Sequence, residues 1–349
     1  MTDETRMPDS TAAEQYAPPA WSALYAPWEP GSRRTFGWAT LPLLAVTYFV
    51  SAIPMVVLSV GALVSDPAGV EASAEALAEG GGAALAGDIL LPGILMQFTL
   101  WAALTLVWVK AFERRSFASA GFVLPSWLGR YLRGLAVGVG LVLMLGAVMG
   151  VLGALSPGAI PEAMRDFSVP DGADWSVLLG GAFLGFAALA LITFIIQGGA
   201  EEVIFRGWLM STLQARWGAV AAVLVSSVFF GAFHIHVMSS GVVYGILALA
   251  GITATGVFFA IYAYAERSIW GPMAAHGTFN ATATLLPLSI MQASEPERAP
   301  ADLFADVLTR ATGLAGAEAT EVGPHLLVQP ALFLGLSGIL LLAMRAKKG

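Results

Sequence analysis

The stretch Gly198-Gly199-Ala200-Glu201-Glu202-Val203-Ile204-Phe205-Arg206-Gly207 sets two adjacent carboxylates and an arginine at the end of an otherwise apolar run. A charge inside such a run costs at least about a few kcal/mol, so an ionisable cluster there points to function. Glu202 and Arg206 lie four residues apart with the acid first, the favourable order for a pair along one helix face. Glu201 is turned about 100° away and has no basic residue at a matching offset, which leaves it a free carboxylate. Two further apolar stretches carry His234, and His276 with Asn280. The fourfold spacing of His276 and Asn280 places imidazole and carboxamide on one helix face, where they offer hydrogen-bond donors. His236, two positions from His234, points to another face, and His325 lies at a loop boundary.

The elements that must bring these groups together are membrane spans. With 57% hydrophobic and only 12% charged residues over 349 positions, and a mean hydropathy of +0.75, the chain has too few polar side chains to coat a soluble globule of its size. A bilayer core of about 30 Å needs roughly 20 apolar residues in a helix. This template predicts an all-α, polytopic membrane helix bundle with about eight spans, near 38–64, 89–109, 134–155, 177–196, 220–238, 242–265, 273–291 and 326–344. A tight connection near Arg216-Trp217-Gly218 makes the fourth and fifth spans a hairpin. Glu201 precedes Trp217 by 16 residues and His234 follows it by 17, so a straight hairpin sets carboxylate and imidazole at nearly one depth. Counted from the turn near Arg267, His276 is expected to lie shallower than Glu201.

Residues 1–35, rich in Pro, Ala and acidic side chains, read as a disordered cytoplasmic tail, with Trp21, Tyr25 and Trp28 suited to the headgroup level. Residues 36–349 read as one membrane helical domain. Arg165, Arg298 and Arg310 excepted, the 17 Lys and Arg residues fall on one face of this topology, which places both termini in the cytoplasm. The absence of cysteine excludes disulfides and thiol chemistry, and no basic, aromatic-studded patch invites nucleic acid.

Each polar residue has a structural reading when taken singly. An ion pair tolerates insertion, a histidine bridges helices, Asn280 is interhelical glue, and Gly198-Gly199 permits close packing or a bend. Taken together, Glu201, His234, His276 and Asn280 are explained more simply by one shared site than by four accidents on three helices.

The ordered set Glu-Glu-x-x-x-Arg, Phe-x-x-x-His and His-x-x-x-Asn, carried here by Glu201, Glu202 and Arg206, Phe230 and His234, and His276 and Asn280, resembles the CPBP family, also called the Abi or CAAX-protease family. The resemblance runs over about residues 114–286 and includes the loop from Arg115 to Phe122. It implies an intramembrane endopeptidase acting on membrane-associated protein or peptide substrates in the bilayer, in an integral membrane protein of the plasma membrane. Glu201 and His234 would then hold and deprotonate a water, His276 and Asn280 would donate to the oxyanion, and Glu202 and Arg206 would orient the site. Glu and His are competent zinc ligands, but no His-Glu-x-x-His array is present, so the cofactor stays open between none and a divalent metal such as zinc. Two other classes compete: a proton-coupled transporter, which also wants carboxylates and imidazoles at the midplane, and a non-catalytic membrane scaffold or immunity protein. For the topology, a reporter active only outside the cytoplasm should stay silent when fused after Gly349 and be active when inserted near Gly316; the reverse pattern overturns it.

Overall fold

The computed structural model of the chain describes residues 24–346 apart from 70, 72–83, 157, 159–171 and 313–321. Among these residues every regular element is helical and no strand occurs. The α-helices are α1 (Thr40–Ser65), α2 (Ala84–Val107), α3 (Trp127–Leu155), α4 (Gly181–Glu202), α5 (Met210–Ala232), α6 (Val242–Glu266), α7 (Trp270–Ser294), α8 (Pro300–Thr312) and α9 (Val328–Ala346). A π turn, Trp108–Phe112, extends α2, and a π segment, Val203–Leu209, joins α4 to α5 without a break.

The distribution of apolar residues is that of a protein dissolved in lipid. In α3 only 11% of the most apolar window is buried, and Leu143, Val148 and Val151 lie exposed along it. A water-facing helix would carry polar groups at these positions; hydrocarbon accepts them. Six stretches of the described residues are long and apolar enough to cross a membrane. The eight spans expected from the sequence all fall on helical segments, but their number is not reproduced by this criterion. Most of the fourth and of the fifth falls in a single 52-residue stretch, Gly181–Ala232, and α7 has 25 residues but carries His276, Thr278, Asn280, Thr282 and Thr284. The expected hairpin is present: Gly218, at φ 80° and ψ 170°, breaks α5 in two, a conformation that glycine alone adopts without strain.

Helix α7 lies at the centre of the site's packing. It packs against α3 on one side and α4 on the other, while α6 lies between α5 and α9. The α3–α7 crossing is backbone on backbone. A Cβ on Gly134 would sit 2.2 Å from the Gly271 carbonyl oxygen, and one on Gly138 would sit 2.4 Å from that of Ala275. Small residues spaced by four let helices approach to dispersion contact, the main attraction left between helices once lipid replaces water.

At the end of the bundle that holds Gly218, the segment expected to be a free tail is packed from residue 24 onward; Trp21 lies outside the described residues. Leu24 is buried, Trp28 lies under the Arg115 guanidinium at 4.6 Å, and Arg216 donates to the carbonyls of Thr35 and Arg34. A buried pair, Glu113 with Arg115 at 2.7 Å, ties this end together, since Glu113 also accepts from Thr35 and Trp208 and Arg115 reaches Ser119. Part of the long loop after Gln292 is folded too: Phe304 of α8 is buried against Phe186 and Phe194.

The α3–α7 crossing can be tested by adding one methyl. Gly138→Ala should lower stability by about 1–3 kcal/mol through overpacking against a backbone carbonyl that cannot move aside, read as a drop in melting temperature in detergent. Gly140→Ala, where a Cβ meets nothing within 4 Å, should be neutral or slightly stabilising. Equal effects at the two positions would refute the close crossing.

Candidate active site

Every residue from Gly198 to Leu213 is buried, so the end of α4 and the π segment form a helix enclosed on all sides. Glu201, Glu202 and Arg206 lie on it. A helix in such a place needs neutral packing or internal partners, and the partners are found. Arg206 donates from Nη1 to Glu202 Oε1 at 2.7 Å and from Nη2 to the Gly256 carbonyl at 2.8 Å, and its guanidinium lies 4.5 Å from the Phe230 ring centroid. Gly256 eases this approach, because a Cβ there would crowd Arg206 Nη2 and the Ser227 Cα at 3.2 Å.

The same Glu202 oxygen accepts from His276. That oxygen already accepts from Arg206, so the proton on this side of the ring is on Nδ1, 2.9 Å away. The other ring nitrogen, Nε2, lies 3.4 Å from Glu201 Oε2. His276 is thus clamped between two carboxylates, with Phe259 stacked on its face at 4.7 Å and 21°. The 3.4 Å contact lacks hydrogen-bond alignment and leaves Glu201 Oε2 buried without a hydrogen-bond partner.

Glycine makes this clamp geometrically accessible. A Cβ on Gly198 would sit 2.5 Å from the Gly277 amide nitrogen, and one on Gly277 would sit 2.7 Å from the Ile195 Cα. Helices α4 and α7 therefore touch through their backbones one residue from His276. The expectation that His276 lies shallower than Glu201 does not hold, and the reason is visible in the register. Gly207 is level with the α6–α7 turn, where a Cβ would meet Ile269 Cδ1 at 3.5 Å and the Ala120 carbonyl at 3.3 Å. Glu201 is six residues before Gly207 and His276 seven after Ile269, so the two arms differ by one residue when counted from this level. The first arm simply runs past the turn, where the residue 113–122 loop and the N-terminal segment cover it.

His234 sits just beyond α5, after Ala232, and is half-buried. Its Nδ1 is 2.9 Å from the Phe230 carbonyl oxygen, which only accepts, so Nδ1 carries a hydrogen and, in the neutral ring, Nε2 has the lone pair. Among the described residues no hydrogen bond or ion pair joins His234 to Glu201. Phe230 stands between the histidines, its ring 5.1 Å from His234 and 5.6 Å from His276. Glu201 is paired with His276 instead, and Phe230 lies between the two imidazoles. His236 is exposed, on the 3-10 turn Ile235–Ser240, its ring 6.0 Å from that of His234.

Asn280, one turn along α7 from His276, donates from Nδ2 to Gln197 Oε1 at 2.7 Å. Gln197 lies one turn before Glu201, with its carboxamide beside that carboxylate. It belongs to the same polar line, and sequence reasoning missed it although a glutamine four residues from a buried glutamate in an apolar run was a usable signal. The Gly256 carbonyl and the Phe259 ring could not be found that way, since neither type is unusual in a span. Among the described residues no three of His, Cys, Asp and Glu converge as a metal-binding set.

Residues 183–282 match the family model Rce1-like, type II CAAX prenyl endopeptidase. The matched Rce1-like segment includes α5 and α6 and contains all six residues singled out above, which bears out the motif resemblance. No curated protein and no solved structure gives a significant match to this chain.

In the Rce1-like segment the Glu202–Arg206 pair is buried on both sides, so removing one partner strands a charge. Arg206→Met should destabilise the protein by about 3–5 kcal/mol, and the double variant with Glu202→Gln should recover part of that loss. Thermal unfolding in detergent checks both. Wild-type stability in Arg206→Met would rule out the buried pair.

Proposed function

We propose that this integral membrane protein is an intramembrane endopeptidase that hydrolyses peptide bonds of membrane-associated proteins or peptides, with Glu201 as the group that activates water. One observation carries the reading: inside the Rce1-like segment, Glu201 presents a buried carboxylate oxygen with no hydrogen-bond partner, 3.4 Å from an imidazole that Glu202 holds at its far nitrogen. A carboxylate so placed is available to a water molecule and has a proton partner beside it.

In this mechanism a water bound at Glu201 Oε2 gives its proton to the carboxylate as its oxygen attacks the scissile carbonyl carbon. The His234 Nε2 lone pair faces the same proton-transfer task from the other side of Phe230. Asn280 uses one N–H on Gln197 and keeps the second for the oxyanion of the tetrahedral intermediate. His276 serves Glu201 rather than the oxyanion, because both of its nitrogens face carboxylates. Collapse of the intermediate breaks the C–N bond, and the proton held by Glu201 passes to the leaving amine. Arg206 and Glu202 fix the ring from behind. The partition of Lys and Arg supports the end holding Gly218, and both termini, on the cytoplasmic side; the plasma membrane is the location we propose.

The test is cleavage by purified protein in detergent, without a gradient, of a farnesylated CAAX peptide and its unprenylated twin. Glu201→Gln should lower kcat by about 10²–10⁴-fold and Asn280→Ala by on the order of 100-fold, with melting temperatures close to wild type. Full activity in Glu201→Gln ends this mechanism. Absence of cleavage together with substrate-dependent proton flux in liposomes would favour transport.

A further inference from the structure

The helix that carries Glu201 and Glu202 changes its hydrogen-bond ladder immediately after them. Over Val203–Leu209 it runs i→i+5, closing with the Met210 N–H on the Phe205 carbonyl, and from Met210 it is α-helical. A ladder that returns from i→i+5 to i→i+4 passes over one carbonyl. With the last wide bond ending on Phe205 and the next ordinary one on Gly207, the carbonyl passed over is that of Arg206. A buried carbonyl without a donor is destabilising, so its partner matters.

That partner comes from the other end of the chain: the Tyr25 hydroxyl donates to the Arg206 carbonyl. Tyr25 is delivered by a short packed segment. Leu24 beside it is buried, Ala26 donates its N–H to the Ala118 carbonyl, and Trp28 is pinned under Arg115. Gly121, at φ 84°, lies close enough that a Cβ would come within 3.4 Å of the Tyr25 ring. Burial pushes the Tyr25 hydroxyl well above its ordinary range, and neighbouring Tyr264 adds to the effect, so it remains a donor at any working pH.

We propose that Tyr25 is a positioning residue: by filling the carbonyl that the π segment leaves open, its hydroxyl fixes the register at which Arg206 meets Glu202, and through Glu202 the seat of His276 against Glu201. The links are continuous, from the Tyr25 hydroxyl to the Arg206 backbone, from the Arg206 guanidinium to Glu202, and from Glu202 to His276. The N-terminal segment thereby becomes part of the apparatus that holds the site. For catalysis this inference rests on the endopeptidase reading; for the geometry of the π segment it does not.

The experiment compares wild type, Tyr25→Phe and, as a control at the exposed edge of the same segment, Glu29→Gln. Tyr25→Phe retains the ring and removes only the donor. Amide hydrogen exchange in nanodiscs should accelerate at least about tenfold across residues 203–213 in Tyr25→Phe, with α6 unchanged and Glu29→Gln like wild type. With the farnesylated CAAX peptide, kcat should fall about tenfold while KM stays within about twofold. Unchanged exchange over residues 203–213 overturns the proposal, as does loosening spread evenly over all helices, or a rise in KM with kcat preserved. If wild type cleaves no peptide, the endopeptidase reading fails, and the exchange data still decide whether Tyr25 holds the π segment.

Discussion

A guanidinium kept away from water needs its charge neutralised and partners for its donors, and Arg206 draws on several elements for this, with only Nε left without a partner. Glu202 on its own helix supplies the opposite charge, the Gly256 carbonyl of α6 takes a second nitrogen, and the Phe230 ring of α5 covers a face. Desolvation makes each of these contacts more consequential than it would be at a surface. The same Glu202 oxygen that answers Arg206 also answers His276, so the α7 histidine is located by the requirements of a charge on α4's continuation. Glu201 then receives its neighbour as a consequence of where His276 has been put.

Such an arrangement requires backbones to come closer than ordinary side chains allow. Gly198 against Gly277 and Ile195, Gly134 against Gly271, and Gly138 against Ala275 are crossings where a methyl group would overlap main-chain atoms. With hydrocarbon outside, helices gain little from hiding apolar surface from one another, and close contact supplies the attraction instead. These glycines therefore have two effects: they hold α7 between α3 and α4, and they set the reach over which Glu201 and Gln197 meet His276 and Asn280.

The outward face follows a different rule. Leu143 and Val148 on α3, or Val220, Leu224 and Val228 on α5, are exposed in the protein and belong against lipid. The polar groups turn inward and are paired, except for a few buried atoms that include Glu201 Oε2. In the site itself these atoms are Glu201 Oε2, Glu202 Oε2 and Arg206 Nε, and buried polar atoms left without a partner mark where a further molecule would be bound.

Composition and segment length were enough to determine a helical membrane protein, and the acid-first spacing of Glu202 and Arg206 was enough to determine their pairing, because both depend on local periodicity and on the high free energy of charge in hydrocarbon. The Gly218 turn was legible for the same reason, as a break between two apolar runs. Residue spacing could not tell which histidine would meet Glu201. Counting along a straight hairpin chose His234 by depth, whereas contact also depends on lateral placement, and it is His276 of α7 that meets Glu201, with Phe230 between the two imidazoles. The level of His276 was misjudged because the α6–α7 turn sits at Gly207, well short of Gly218, a relation fixed by glycine crossings between segments far apart in the chain. Gln197 as Asn280's acceptor and Tyr25 as the donor to Arg206 are likewise products of tertiary packing: each joins residues whose separation in sequence carries no periodic signal, so only the folded arrangement of helices decided them.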